Sequence, residues 1–169
     1  KNLIFTFLIA SAFYLFLTTL KDFFVKGFSN FSQKISHFGF SLLILSILLN
    51  SFFSSEITAN LRVGEKISFE NGIITFESIE SKKYKNYQSI MGNFNIEDNQ
   101  KKSIILNPEL RIYNQPHTVT SEADIKTTLY SDKFLVMNLV KGNEYFNIRY
   151  QIKPFMVWIW ISTLLIALG

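Results

Sequence analysis

Three uncharged apolar runs punctuate the chain. Asn2–Leu20 is made mostly of Leu, Ile, Phe and Ala, and the stretch between Lys34 and Glu56 holds His37 as its only titratable group. The third run extends from Pro154 to Gly169. A bilayer core of about 30 Å takes roughly 20 apolar residues as helix, so the first two runs are long enough to cross it. The third reaches only about 24 Å at roughly 1.5 Å per residue. Transmembrane helices are therefore expected over 2–20 and 35–54, with a truncated one over 154–169. The chain opens on Lys rather than Met and stops at the end of the third run, so a fragment of a larger multi-span protein is expected. A soluble helix would show a polar face, and Phe13-Tyr14-Leu15-Phe16-Leu17 and Leu42-Leu43-Ile44-Leu45 offer none. A signal peptide over 2–20 would need a small-residue cleavage site, whereas Lys21-Asp22-Phe23-Phe24 follows.

Between the second and third runs the pattern changes period. Apolar and polar residues alternate through Ile67-Ser68-Phe69, Ile73 to Phe76, Ile90 to Ile96, Ser103 to Leu106, Phe134 to Met137 and Tyr145 to Tyr150. Period two is the signature of half-buried strands. Val63-Gly64-Glu65, Glu70-Asn71-Gly72, Glu97-Asp98-Asn99 and Lys141-Gly142-Asn143 supply turn residues between them. Strands at this spacing predict a small all-β domain over 55–153, barrel- or sandwich-like. One helical turn is expected at Ser121-Glu122-Ala123-Asp124-Ile125, with Thr120 or Ser121 as cap and acids in the first turn.

Charge then orients these pieces. The net charge of +4 suggests nucleic acid at first sight, but residues 56–153 carry 13 Lys and Arg against 12 Asp and Glu. Half of the excess sits in the loop 21–34, where Lys21, Lys26 and Lys34 face only Asp22, and Lys1 adds one more. The positive-inside rule makes that loop cytoplasmic and the β domain extracytoplasmic. No nucleic-acid partner is expected. The chain has no cysteine, which excludes a disulfide scaffold, a thiolate metal site and a cysteine nucleophile.

Catalytic constellations are sparse. His117 lies in the loop Asn114-Gln115-Pro116-His117-Thr118 without further nitrogen ligands or a carboxylate cluster at metal-binding spacing. No Gly-x-Ser-x-Gly elbow and no phosphate-binding glycine loop is present. Lys82-Lys83-Tyr84-Lys85 mixes basic and aromatic side chains but is short, and it reads as a solvated strand end or hairpin. His37 stands apart, about one turn inside the second span. Ionisable residues at membrane depth are costly and tend to face a bundle interior. Ser41, at i+4, is expected on the same stripe, and Gly39 would allow close helix approach. Spacing leaves three roles open for His37: helix packing, cofactor ligation and proton relay.

The order of these features resembles the C-terminal part of the cytochrome c-type biogenesis family CcmF, the large membrane subunit of a haem lyase. His37-Phe38-Gly39 opens a span leading into an external domain that begins near Val63-Gly64-Glu65. Asn107-Pro108-Glu109-Leu110-Arg111-Ile112-Tyr113 is similar to the family's Pro-Glu-Lys-Arg-x-Tyr element. Thr120 to Ile125 and Ser131 to Val136 follow in the family's order, and Ile148 to Ile161 contains its Arg, Lys-Pro and Trp-x-Trp positions. The likeness is collinear over roughly 33–169.

The resemblance implies that His37 is an axial ligand of a b haem in the membrane, its iron the metal concerned. It also implies that the whole protein joins haem covalently to apocytochrome c on the outer face. Implied partners are a haem chaperone, apocytochrome c, other cytochrome c maturation membrane subunits and membrane lipid. The implied location is the inner (cytoplasmic) membrane, multi-pass, with the β domain in the periplasm, or the mitochondrial inner membrane. Arg111, Arg149 and Lys153 are candidates for haem propionates or a partner subunit. Their alternative is structural, with Lys153 snorkelling at the interface and Trp158 and Trp160 in an aromatic belt. Two positions depart from the family pattern: Leu110 stands for Lys and Ser162 for Gly. The Trp-rich segment, its flanking histidines and the second b-haem histidine are absent, so this segment alone is not expected to be active. The competing reading is a membrane-anchored β domain that docks a partner or chaperone, without cofactor.

Overall fold

The computed structural model describes residues 3–25, 30–140 and 144–169. The turn expected at Lys141-Gly142-Asn143, and Lys26 of the basic loop, lie outside the described residues. Two compact units form: a helical unit of residues 1–54, 127–132 and 153–169, and a β unit of 55–126 and 133–152.

The helical unit contains α1 (Leu3–Asp22), α2 (Phe31–Phe53) and α3 (Met156–Leu168). The first two are long and apolar enough to cross a membrane, and α3 is shorter. α2 packs against both α1 and α3. Against α1 it stacks Phe52 on Phe5 at 5.6 Å and sets Phe38 beside Phe16 at 5.4 Å. Thr19 and Ser41 share a buried 2.7 Å hydrogen bond across this contact. Such a bond satisfies two hydroxyls where water is scarce. Against α3, Gly39 is buried, and a Cβ built there would lie 2.9 Å from Leu165 Cβ and 3.0 Å from the Ile166 nitrogen. Glycine is what lets those two backbones come so close.

Among the described residues the β unit has ten strands. They are β1 (Ser55–Leu61), β2 (Lys66–Phe69), β3 (Gly72–Lys83), β4 (Tyr87–Asp98), β5 (Ser103–Leu106), β6 (Glu109–Asn114), β7 (His117–Glu122), β8 (Asp124–Thr127), β9 (Ser131–Leu139) and β10 (Phe146–Pro154). One sheet has the order β1-β10-β9-β8, the other β2-β3-β4-β6-β7, with β5 also paired to β4. Between them lies an apolar core that includes Ile74, Phe76, Phe94, Leu110, Leu135, Met137, Ile148 and Tyr150. Phe76 and Phe94 stack face to face at 4.2 Å and are fully buried.

Alternation decides which residues enter this core, and a bulge at Glu77 edits it. The β3–β4 register shifts between Phe76 and Ser78. Ile74 and Phe76 point inward before the shift and Ile79 packs on the core after it. One extra residue flips the inward parity, as a bulge must. At the β1–β2 turn, Gly64 adopts φ +89°, and Glu65 donates its backbone N–H to the Arg62 carbonyl at 3.1 Å. Only glycine takes that conformation without steric cost.

The helical turn expected at Ser121–Ile125 does not form. Ser121 and Glu122 belong to β7, and Asp124 and Ile125 to β8. Leu110 pairs with Ser121 and Glu109 with Glu122, so the ladder to β6 takes the backbone groups that a helix would have used. Capping signals are local and weak beside a full strand partner. The run Lys82 to Lys85 forms the end of β3 and the turn into β4, as read from the sequence, with Tyr84 donating its N–H to the Tyr87 carbonyl at 2.9 Å.

Candidate functional site

His37 lies in the second turn of α2, and its side chain is exposed. Among the described residues it has no hydrogen-bond partner. Phe40 and Ile47 are also exposed, at 55% and 48%. At 100° per residue these positions share the side of α2 that neither α1 nor α3 covers. The opposite side, with Gly39, Leu42 and Ser46, is buried. Ser41 departs from the expected stripe. It is fully buried while His37 is open. Its position is rotated only about 40° from His37, yet that rotation, with the bond to Thr19, carries it into the α1 contact. An apolar hollow of about 300 Å³ in the helical unit is lined by Phe16, Leu42, Leu45, Leu49, Tyr130 and Trp158. It lies on a different side of α2 from His37.

A haem ligated by His37 would need a free ring nitrogen, room beside the helix and an apolar surround. The exposed imidazole, its lack of a protein partner and the neighbouring Phe40 and Ile47 meet those needs. The chain's second histidine, His117, is exposed at the start of β7 in the other unit. Among the described residues no group of three or more His, Cys, Asp or Glu could hold a metal ion.

The three cationic candidates sit in different settings. Arg111 faces outward from β6, half-buried, and donates from Nε and Nη2 to Glu109 Oε2 at 3.0 and 2.8 Å. Its guanidinium also lies 5.4 Å from the Tyr87 ring centre, within cation–π range. The Arg111 bonds hold the Glu109 carboxyl below its ordinary value, against the opposing effect of burial, with help from Ser89. In return Glu109 pushes the Arg111 guanidinium further up. Tyr84, Tyr87 and Tyr113 continue this face as a row, with centroids 4.7 and 5.4 Å apart. Arg149 on β10 pairs with Glu56 on β1 at 2.7 Å, and Gln151 bonds the same carboxylate. Lys153 is partly exposed at the end of β10.

Leu110 and Ser162, the two departures from the expected pattern, are both fully buried. Leu110 fills the core, where a lysine would bury a charge. The Ser162 hydroxyl donates to the Trp158 carbonyl one turn earlier. Trp158 itself donates its indole N–H to the Leu129 carbonyl at 3.0 Å. Phe155 donates its N–H to the Tyr130 carbonyl at 3.0 Å. The β8–β9 turn is thereby tied to the start of α3. Trp160 is 65% exposed, as an interfacial aromatic would be. Neither the Trp158 bond nor the Thr19–Ser41 bond has a signal in local sequence.

Membrane-length helices joined to a two-sheet sandwich define a helix-anchored β-sandwich protein. More specifically, the chain belongs to the family described as the CcmF C-terminal beta-sandwich, whose model matches residues 52–154. It is 28% identical over 141 residues to the cytochrome c-type biogenesis protein CcmF of Pseudomonas fluorescens, covering 83% of this chain and 21% of that protein. Against CcmF of Escherichia coli K12 the figures are 24% over 142 residues, 84% and 22%. Against the cytochrome c-type biogenesis protein NrfE of Haemophilus influenzae they are 23% over 155 residues, 92% and 24%. A solved structure titled cytochrome c heme lyase CcmF shares the fold, with a TM-score of 0.63 at 19% identity over 82% of this chain and 23% of that one. The chain spans about a fifth of the length of the curated relatives it matches.

Proposed function

We propose that this chain serves as the C-terminal segment of a cytochrome c haem lyase subunit, which attaches haem to apocytochrome c during cytochrome c maturation. Membership of the CcmF C-terminal family over 52–154 carries that reading. In it, α1 and α2 span the inner membrane with their basic connection inside, and the sandwich works in the periplasm. Its partners are apocytochrome c, a haem chaperone, other maturation subunits and surrounding lipid.

Within the membrane, His37 would hold a b haem through a ring nitrogen. Its open position on α2 and the absence of a competing hydrogen bond support this role. One-electron redox chemistry is what that haem supplies when bound. The protein's part is orientation and exclusion of water. Gly39 seats α2 against α3, Ser41 and Thr19 seat it against α1, and together they fix the rotation that leaves His37 outward. Phe40 and Ile47 keep the neighbouring surface dry. Arg111 and Arg149 already hold carboxylates, so a propionate could bind either only by displacing Glu109 or Glu56. The half-exposed Arg149 pair is the easier to exchange, and Lys153 is the third proposed contact.

The test is spectroscopic. The full-length parent protein, purified from membranes, should show a reduced b-haem band. His37→Ala should diminish it or make it depend on added imidazole, while His117→Ala should leave it unchanged. A His37→Ala protein with correct far-UV circular dichroism and an unaltered haem band would refute the assignment.

A further inference from the structure

The β unit contains a cavity of about 190 Å³ lined by Ser55, Glu56, Phe69, Glu70, Asn71 and Tyr150. Its floor is Tyr150, 2% exposed, whose ring packs edge-on against Phe69 at 5.5 Å. The Tyr150 hydroxyl has no hydrogen-bond partner among the described residues. The Tyr150 side chain is buried, yet its hydroxyl is not sealed off, because the residue lines this accessible cavity. The carboxylate of Glu56 is held by Arg149 and Gln151. Glu70, with no cation paired to it among the described residues, contributes the uncompensated negative charge. Burial, with the Asp98 charge as the lesser cause, pushes the Tyr150 hydroxyl up to about 12, so the phenol stays neutral and able to accept or donate.

The shape and charge select the occupant. The volume is below the roughly 300 Å³ at which small-molecule pockets begin. It suits a single side chain of the kind that anchors a protein interface. Negative charge from Glu70 at the cavity, and from Asp98 at longer range, above a largely apolar wall calls for a positively charged donor on an apolar stem. We propose that this cavity is a docking socket for a lysine side chain of a partner protein. The ammonium would sit between the Glu70 carboxylate, the Asn71 side-chain oxygen and the Tyr150 hydroxyl, and its methylene stem would lie along Phe69 and Ile57, which also lines the cavity. A lysine ammonium has three donors, one for each of those acceptors.

The proposal is independent of the haem reading and is tested without haem. The full chain, labelled at Tyr and Asn and held in detergent micelles, is titrated with n-butylammonium chloride while the Tyr150 and Asn71 NMR signals are followed. Saturable shifts are expected in the millimolar range, as suits one isolated side-chain mimic. The neutral isostere n-butanol should give shifts at least tenfold weaker. Glu70→Gln and Tyr150→Phe should each weaken butylammonium binding severalfold, with the β-unit amide spectrum otherwise preserved. Equal response to butanol, or undiminished binding by folded Glu70→Gln, would overturn the socket. Tighter binding of O-phosphoethanolamine than of butylammonium would overturn the protein partner in favour of a lipid headgroup.

Discussion

Substituting Gly39 with alanine tests the helical unit at its tightest point. The new methyl carbon would fall 2.9 Å from Leu165 Cβ and 3.0 Å from the Ile166 backbone nitrogen. Neither atom can rotate away, because one belongs to the α3 backbone and the other is fixed to it. The helices must separate by several tenths of an ångström, and overpacking of this kind costs about 1–3 kcal/mol. Alanine also has better helix propensity than glycine by about 0.8–1 kcal/mol, which works in the opposite direction. The clash exceeds the propensity gain over most of that range, so a net loss of about 1 kcal/mol is expected. Gly39→Val gains less propensity and adds more volume, so it should lose more. The assay is equilibrium unfolding of the chain in mixed micelles with increasing SDS, read by energy transfer between dyes on α2 and α3. A double-mutant cycle with Leu165→Gly removes the propensity effects and should show coupling of at least about 0.5 kcal/mol. If Gly39→Ala is more stable than the parent by the propensity difference and the cycle shows no coupling, α2 and α3 do not approach as described.

Three further outcomes follow from the β unit and the membrane histidine. Phe94→Ala removes a fully buried ring stacked on Phe76 and should cost about 3–5 kcal/mol, read as a lower denaturant midpoint for the β-sheet signal. The Glu109–Arg111 pair should make stability pH-dependent. Because the folded state holds Glu109 below its ordinary 4.5, its contribution is present above that value and lost as pH falls through the lowered one. The stability gap between wild type and Arg111→Met should therefore narrow on acidification from neutral pH, and a constant gap would contradict the assignment. Loss or imidazole dependence of the b-haem band in His37→Ala checks the proposed ligand, and retained helicity in the same variant separates ligation from packing.

Much of the architecture could be read from one chain because its signals are local. Apolar length marked α1 and α2, and period-two alternation marked β2 to β5, β9 and β10. The strands β6 and β7 were harder. Glu109 to Asn114 and His117 to Glu122 are polar on the outer face and short, and they are strands because β6 pairs with β4 on one side and with β7 on the other. The same pairing converted a well-capped sequence at Ser121 into strand. His37 was visible as the lone ionisable group in an apolar run, but nothing in that run told on which side of α2 it would stand. Its neighbour in spacing, Ser41, went the other way because Thr19, 22 residues earlier, offered a partner.

Composition and periodicity alone determined that this protein carries membrane-length helices and a neutral β domain, since bilayer thickness and strand pleat impose their lengths and periods on any chain. Tertiary structure decided everything that joins residues far apart in sequence. It paired Arg149 with Glu56 across 93 residues, seated Gly39 against α3, and set Tyr150 at the wall of a charged cavity, its hydroxyl without a partner among the described residues. Those features depend on which strands and helices become neighbours, and that choice is made by burial of the whole apolar surface, which no local window of sequence contains.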